Sequence, residues 1–303
     1  MSASKVSAGR VLEVLSSALE ARRDRDARVC VRVHVDPTCP RAVALSVRDA
    51  LVAERAGGIV EVRDAADDHG EAPDAVIVLA GQGDCAALVG SYARAGVPVC
   101  VVVEGALDAP EPELPEGARD LVGVLAVSEP ADVPARLAGW LASHAPRSIA
   151  LAANFPFCRR AVTDELIARC AAENAVVGAV ALIPGSDLPI MCANQSKLAL
   201  DIACAYGRPT DLERAAEVAG VIGGGFAWRA LARTALGLVP GLGAIVRAGV
   251  GFGGTLACGR VLRARLEAQD APRPREGGDA RPLAAPAAVP AADDYVTIGG
   301  DAA

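Results

Sequence analysis

The chain has 303 residues, enough for two modest domains, and its net charge of −7 is unevenly distributed. Residues 1–146 carry 14 Lys and Arg against 22 Asp and Glu, and this acidity argues against nucleic acid as a partner. Hydrophobic residues make up 52% of the chain but aromatic residues only 3%. The nine cysteines include no Cys-x-x-Cys pair, which indicates reduced, buried thiols and gives no support to a metal site.

Residues 1–26 are predicted to form a leading amphipathic helix. Val11, Val14 and Leu15 recur at helical spacing, and the charged run from Arg22 to Asp26 should end the helix. Acidic residues interrupt the apolar ones, so no signal peptide is predicted.

Residues 27–145 are predicted to be an α/β domain. Short β-branched runs alternate with helical stretches, a pattern typical of a mostly parallel, Rossmann-like or GTPase-like sheet flanked by helices. The predicted strands are Val29 to Val35, Ile59 to Arg63, Ala75 to Leu79, Val97 to Val103 and Val122 to Val127, and the predicted helices are Arg41 to Arg55, Asp84 to Ala95 and Ala131 to Ser143.

The segment after the first predicted strand lacks the residues of a phosphate-binding loop. A Gly-x-x-x-x-Gly-Lys-Ser/Thr loop wraps phosphates with backbone amides and uses its Lys and hydroxyl on phosphate and magnesium. In the same place, Val35 and Pro40 replace the glycines, Arg41 replaces the Lys and Ala42 replaces the hydroxyl. Pro40 also removes an amide donor, so ordinary NTP hydrolysis is not expected.

Two further segments stand where GTPases carry motifs. Asp64 is followed by Asp67 in place of the Gly of Asp-x-x-Gly, and only an acidic residue remains where the guanine-reading Asn-Lys-x-Asp would follow Val103. In order and placement this half therefore resembles an Era-like GTPase domain that has lost its chemistry. Another Rossmann-like module, or a nucleotide binder with an unusual loop, would predict the same architecture.

Candidates for chemistry are few. Thr38, Arg41 and Asp64 form a remnant of the loop, and no catalytic residue, cofactor or metal ligand is predicted. His34, Asp36 and Cys39 lie around the end of the first strand, the usual ligand edge of a parallel sheet. The segment Gly81 to Asp84 either presents amides to an anion, with Asp84 as a cap, or makes a tight strand-to-helix turn.

Residues 146–266 are predicted to be an apolar, basic helical domain, with 13 Lys and Arg against 8 Asp and Glu from residue 147 onwards. Pro-Gly turns at 184–185 and 240–241 separate its helices. Gln195 lies within an apolar stripe, whereas Asp201 is expected on a side that faces water or a partner. The glycines at 249 and 253 either let two helices approach closely or simply reflect the composition.

Two signatures in this domain carry a second resemblance. They are Pro184, Asp187, Gln195, Tyr206 and Gly207 in the first, and Pro240 and Gly243 in the second. This stretch resembles a GTPase-associated helical family of the YcjF type, catalogued as domain of unknown function 697. The resemblance implies an all-helical, often membrane-associated domain that is attached to or encoded beside Era-like GTPases, and that family has no established reaction.

Membrane contact is left open by the sequence. The longest uncharged runs, 174–186 and 234–246, each contain a Pro-Gly turn, so no transmembrane helix is secure. A helix pair in the interface, a re-entrant hairpin and ordinary solvated arginines all fit the basic, apolar composition. Residues 267–303 are predicted to be a disordered tail, in which 293–298 is either a short docking strand or an inert end.

Together these features predict a non-catalytic regulatory or scaffold protein of a bacterial cytoplasm, peripheral at the inner membrane. Its partners would be a protein, such as a true GTPase, and an anionic lipid surface. Two alternatives are a nucleotide-binding switch with an atypical phosphate loop and an integral membrane hairpin protein.

Overall fold

The structure is a computed structural model that describes residues 16, 19–64, 71–105, 112–180, 188–208 and 243–270. It contains a five-stranded sheet in the order β2-β1-β3-β4-β5, and every neighbouring pair of strands is parallel. The strands are β1 (Val29–Val35), β2 (Gly58–Asp64), β3 (Ala75–Leu79), β4 (Val99–Val103) and β5 (Val122–Ala126).

Besides a leading helix over residues 19–26 and two short 3₁₀ helices, eight α-helices are described. Four belong to the region around the sheet, and a short one then leads into three long ones. They are α1 (Arg41–Ala50), α2 (Ala86–Arg94), α3 (Glu116–Arg119), α4 (Val133–His144), α5 (Ser148–Asn154), α6 (Arg159–Val180), α7 (Leu188–Ala205) and α8 (Gly243–Asp270).

Helices cover both faces of the sheet because alternate side chains of each strand point to opposite sides. On one face, residues such as Val31 and Ile77 pack with α1, α4 and α5 in one hydrophobic cluster. On the other, Val78 and Val101 pack with Tyr92 of α2 in a second cluster. The sheet is therefore doubly wound, and its strand order is the one found in flavodoxin-like folds.

The long helices form a bundle that continues the first cluster. Helices α6 and α7 form a hairpin, and α8 lies antiparallel to α6, with Thr255 opposite Asn174 and Gly259 opposite Ile167. The hydrophobic cluster of the sheet extends without interruption through Phe155 to Leu266 of α8. The sheet and the bundle therefore share one core.

The predicted fold class, an α/β sheet flanked by helices and followed by a helical region, is confirmed. Two details differ. Helix α1 ends at Ala50 and not at Arg55, because the Glu54 amide donates to the Asn154 carbonyl (2.8 Å) and the chain turns into β2. The charged run from Arg22 to Asp26 is itself helical, and the leading helix ends at its last residue, Asp26.

None of the helices within the described ranges combines the length and the apolarity needed to cross a bilayer. Several predicted features lie outside the described residues: most of the leading segment, the turns at Pro184 and Pro240, Asp187 and the tail from residue 271 onwards.

Candidate functional site

The candidate site is the edge of the sheet where β1 and β3 end, the position at which doubly wound sheets have their ligand crevice. Ligands of doubly wound sheets bind outside the carboxyl ends of the strands, at the point where the chain changes direction across the sheet. Here the chain passes from β1 through α1 to β2 on one side, while β3 lies on the other side of β1. The crevice therefore lies between the loop over residues 36–40 and the loop over residues 80–85, which we call the crevice loops.

Two side chains of the first crevice loop bond the backbone amides of both loops. The Asp36 carboxylate accepts hydrogen bonds from the Thr38 amide (2.7 Å), the Thr38 hydroxyl (2.5 Å) and the Gly83 amide (3.2 Å). The Thr38 hydroxyl oxygen accepts one from the Gln82 amide (2.7 Å). In nucleotide-binding folds, backbone amides at this position donate hydrogen bonds to a phosphate. Here they donate to the side chains of Asp36 and Thr38.

The close approach of the loops requires glycine at two positions. A Cβ atom on Gly81 would overlap the Thr38 hydroxyl and lie 2.8 Å from the Cys39 amide nitrogen, and one on Gly83 would overlap the Asp36 carboxylate. Of the two interpretations of the segment Gly81 to Asp84, the structure has the strand-to-helix turn. Asp84 accepts a hydrogen bond from the Ala86 amide (2.8 Å) at the start of α2.

The crevice carries a fixed negative charge. The Thr38 hydroxyl, and then the Thr38 and Gly83 amides, hold the pKa of Asp36 below its usual range because they donate to the ionised carboxylate. Asp36 is therefore ionised at neutral pH, and its charge repels a phosphate that approaches the same amides.

The structure places the three remnant-loop residues at this edge of the sheet but does not join them. Thr38 lies in the crevice, whereas Arg41 is exposed at the first position of α1. Asp64 is the last residue of β2 and pairs in register with Val35, on the side of β1 away from β3.

His34, Asp36 and Cys39 are separated in the fold. His34 is fully buried on the sheet face beneath α2, where its Nε2 lies 3.0 Å from the Tyr92 hydroxyl, and Asp36 lies in the exposed loop. Burial raises the pKa of the Cys39 thiol, as do the nearby carboxylates of Asp36 and Glu104, so this cysteine is protonated at neutral pH. These residues do not form a nucleophile and base.

A buried polar network beneath α2 was missed by the sequence analysis. The Arg32 side chain donates to Glu61 (2.9 Å), to the Tyr92 hydroxyl (3.0 Å) and to the Glu71 carbonyl (2.7 Å). Arg32 and His34 alternate with the valines of β1, so a polar stripe on one face of that strand was the available signal.

The signature residues of the helical region have structural contacts. Gln195 is buried, and its Nε2 donates to the Thr255 hydroxyl (3.2 Å), which also accepts from Asn174 Nδ2 (2.9 Å). The Tyr206 hydroxyl donates to Glu267 (3.1 Å), and Gly207 ends α7 with a φ of +69°. We call Asn174, Asn194, Gln195 and Thr255 the bundle network; in it Asn194 Nδ2 donates to Asn174 Oδ1 (3.0 Å).

One end of the bundle exposes apolar side chains. At this end, the last turns of α6 meet the start of α7 and the first half of α8. Four apolar side chains of these helices are between 41% and 67% exposed. Exposed apolar side chains at one end of a bundle are candidates for a docking surface. We call this surface the apolar end; its residues are Val176, Val180, Ile190 and Phe252.

An apolar groove of about 360 Å³ lies between α1 and the edge strand β2. Its lining offers one charged side chain, Arg48, and no acid, base or nucleophile. The groove therefore lacks the convergent polar groups of a catalytic pocket. It is lined by Val33, Val35, Ala44, Leu45, Val47, Arg48, Leu51, Val60, Val62 and Leu79.

Among the residues that the structure describes, no three His, Cys, Asp or Glu side chains are grouped so that they could hold a metal ion. Comparison of the chain with protein-family models, curated proteins and solved structures gave no match.

Proposed function

We propose that this chain is a non-catalytic regulatory or scaffold protein, whose α/β half binds a protein partner and whose helical bundle docks on a membrane surface. The observation that carries the proposal is the pair of crevice loops, in which Asp36 and Thr38 occupy the amides that a nucleotide phosphate would need. A phosphate would have to displace a carboxylate that is already hydrogen-bonded and negatively charged.

The rest of the α/β half supports the same proposal. The groove beside α1 has an apolar lining, and His34 and Arg32 are committed to partners inside the fold. The resemblance to GTPase-associated proteins adds a true GTPase as the class of partner.

The apolar end supports membrane docking. Its four apolar side chains are exposed to water, and insertion into a lipid surface would bury them. Docking through side chains at one end of a bundle fits a protein that is peripheral at the cytoplasmic face of the inner membrane.

Nucleotide titration tests the first half of the proposal. The full chain with magnesium should show no binding of GTP or ATP by calorimetry. Micromolar binding by the wild type would contradict the proposal and favour a nucleotide switch with an atypical loop. The double variant Asp36→Asn, Thr38→Ala removes the negative charge of the carboxylate and the hydroxyl acceptor, and Asp49→Asn is the matched control because Asp49 pairs only with its exposed neighbour Arg48 in the described part of the chain.

Vesicle sedimentation tests the second half. The full chain should sediment with vesicles that contain anionic phospholipid, and Phe252→Asp and Val180→Asp should each weaken this binding. Val261→Asp is the control, because Val261 is also an exposed apolar residue of α8 but lies nine residues beyond Phe252, away from the apolar end. Equal loss in all three variants would contradict docking through this surface, and retention in membranes after a carbonate wash would favour an integral hairpin.

A further inference from the structure

Four buried side-chain polar atoms make no hydrogen bond within the described part of the chain, and all four lie where the sheet meets the bundle. They are Arg55 Nη1, Asn154 Oδ1, Arg159 Nε and Arg208 Nε. We call this place the seam. Buried polar atoms of folded proteins almost always have a partner, so a cluster of exceptions points to a bound group.

Shared neighbours link three of the four residues, Arg159, Arg208 and Asn154. Asp270, at the end of α8, pairs with both Arg159 (3.5 Å) and Arg208. Arg159 also pairs with Glu54 (2.6 Å), whose amide donates to the Asn154 carbonyl.

Arg55 lies near the turn at Gly207, and Asn154 lies near the turn at Gly57. A Cβ atom on Gly207 would lie 3.9 Å from Arg55 Nη1, and one on Gly57 would lie 3.1 Å from Asn154 Oδ1. Gly207 precedes Arg208, and Gly57 follows Arg55 by two residues. The four atoms therefore come from neighbouring segments that converge on the seam.

The unused groups favour an oxyanion. Each of the three arginines already forms an ion pair through one of its other nitrogens. The pairs are Arg55 with Asp26, Arg159 with Glu54 and Arg208 with Asp270. Three cationic N–H donors remain, against a single acceptor on Asn154. A ligand with several acceptor oxygens matches this set better than a water molecule, and guanidinium groups are the usual donors to phosphate.

We propose that the seam binds a free, small oxyanion of the size of inorganic phosphate. A lipid headgroup carries the same chemistry, but α6 runs 22 residues from Arg159 at the seam to Val180 at the apolar end. That length is about 33 Å at 1.5 Å per residue, so a headgroup at the apolar end does not reach the seam. The site is independent of the proposed docking function.

Thermal unfolding of the full chain in phosphate and in chloride, at equal ionic strength and pH, tests this site. Phosphate should raise the Tm in a saturable way, because a ligand of the folded state stabilises it by mass action. An equal Tm in the two salts would overturn the proposal. Calorimetric titration with inorganic phosphate gives a second readout that does not depend on unfolding.

Variants locate the effect. Arg55→Gln and Arg208→Gln should each weaken phosphate binding by about tenfold or more, equivalent to loss of a charged hydrogen bond. Both side chains are about one-third exposed, so the variants are expected to fold. Arg48→Gln, an exposed arginine outside the seam, should leave binding unchanged. Unchanged binding in the seam variants would overturn the site.

A competition separates the two sources of phosphate. Vesicles of anionic phospholipid should leave phosphate binding to the wild type unchanged, and displacement of phosphate by vesicles would contradict a soluble ligand. Failure of vesicle sedimentation alone would affect the docking proposal and not the seam.

Discussion

The crevice loops and the bundle network are both built from short polar side chains, yet they differ in what surrounds them. Asp36, Thr38 and Gly83 meet at an exposed edge of the sheet, where water can replace any hydrogen bond that is lost. Asn174, Gln195 and Thr255 are buried among three helices, where water cannot do so. The first network ties two surface loops together, and the second joins the buried, facing sides of three helices.

The same contrast applies to glycine. Gly81 and Gly83 let two loops share hydrogen bonds at the surface, whereas Gly251 and Gly259 let α8 approach α6 inside the bundle. Substitutions in the bundle should therefore cost more stability than substitutions of the same kind in the crevice loops.

The largest effect is expected for Gly251→Ala. The added Cβ would lie 2.5 Å from the Asn174 carbonyl oxygen, a backbone atom that cannot move without shifting α6. We expect a loss of about 3 kcal/mol in the free energy of unfolding, measured by urea denaturation, at the upper end of overpacking costs. Gly249→Ala and Gly253→Ala are the controls, since a Cβ there meets no described atom within 4 Å, and each should gain about 0.5–1 kcal/mol.

Thr255→Val should have the next largest effect. The substitution keeps the shape but removes the acceptor that Asn174 and Gln195 share, so buried amide donors lose their partner. We expect a loss of about 2 kcal/mol by the same measurement. Thr163→Val removes a hydroxyl that bonds only carbonyls of its own helix among the described residues, and an equal loss there would show that the shared acceptor is unimportant.

Gly81→Ala should cost less, about 1 kcal/mol, because the loops can separate into water. The Cβ would push the Thr38 hydroxyl away from the Gln82 amide. Amide hydrogen exchange should then accelerate at Gln82 and Gly83 and remain unchanged in the bundle. Gly117→Ala, where the structure places no described atom within 4 Å of the new Cβ, is the control.

The smallest effect concerns pH. Asp201 is only 3% exposed, and burial raises the pKa of its carboxyl although Lys197 opposes the shift. Since the folded state binds this proton more tightly than the unfolded state, the wild type should gain stability relative to Asp201→Asn as pH falls from neutral towards the raised pKa. Chemical denaturation at several pH values measures the difference; Asp49→Asn, on an exposed surface, should show no such trend.

Much of the sheet could be predicted from the sequence. Runs of β-branched residues predicted β1 and β3 at their observed bounds and placed the others within two residues at each end, because a buried parallel strand is continuously apolar. The early end of α1 could not be predicted, since it depends on a bond between Glu54 and Asn154, which are 100 residues apart in the chain. Local propensity does not report such contacts.

The bundle was harder to predict in detail. Close approach of helices was one of two interpretations of the glycines at 249 and 253, and within the described residues it is wrong for those two positions. The structure shows close approach at Gly251 and Gly259. A helix that is apolar on several sides does not indicate which side meets its neighbour. Asp201 was expected to face water or a partner, yet it is buried near the leading helix, in which Asp24 adds to the raised pKa.

The crevice was predicted only in part. The missing glycines and Lys of a phosphate loop were visible in the sequence, and the Gly81 to Asp84 segment was recognised as a turn or an anion site. The sequence could not predict that the Asp36 carboxylate accepts a hydrogen bond from the Gly83 amide. The two residues are 47 positions apart in the chain and meet only because β1 lies next to β3 in the sheet.

The core that sheet and bundle share makes the molecule mechanically continuous. Phe155 is fully buried between the two parts, and a Cβ on Gly58 at the start of β2 would lie 3.2 Å from its ring. Moving the bundle relative to the sheet would therefore disrupt close-packed contacts around Phe155, so the two parts are expected to move as one unit.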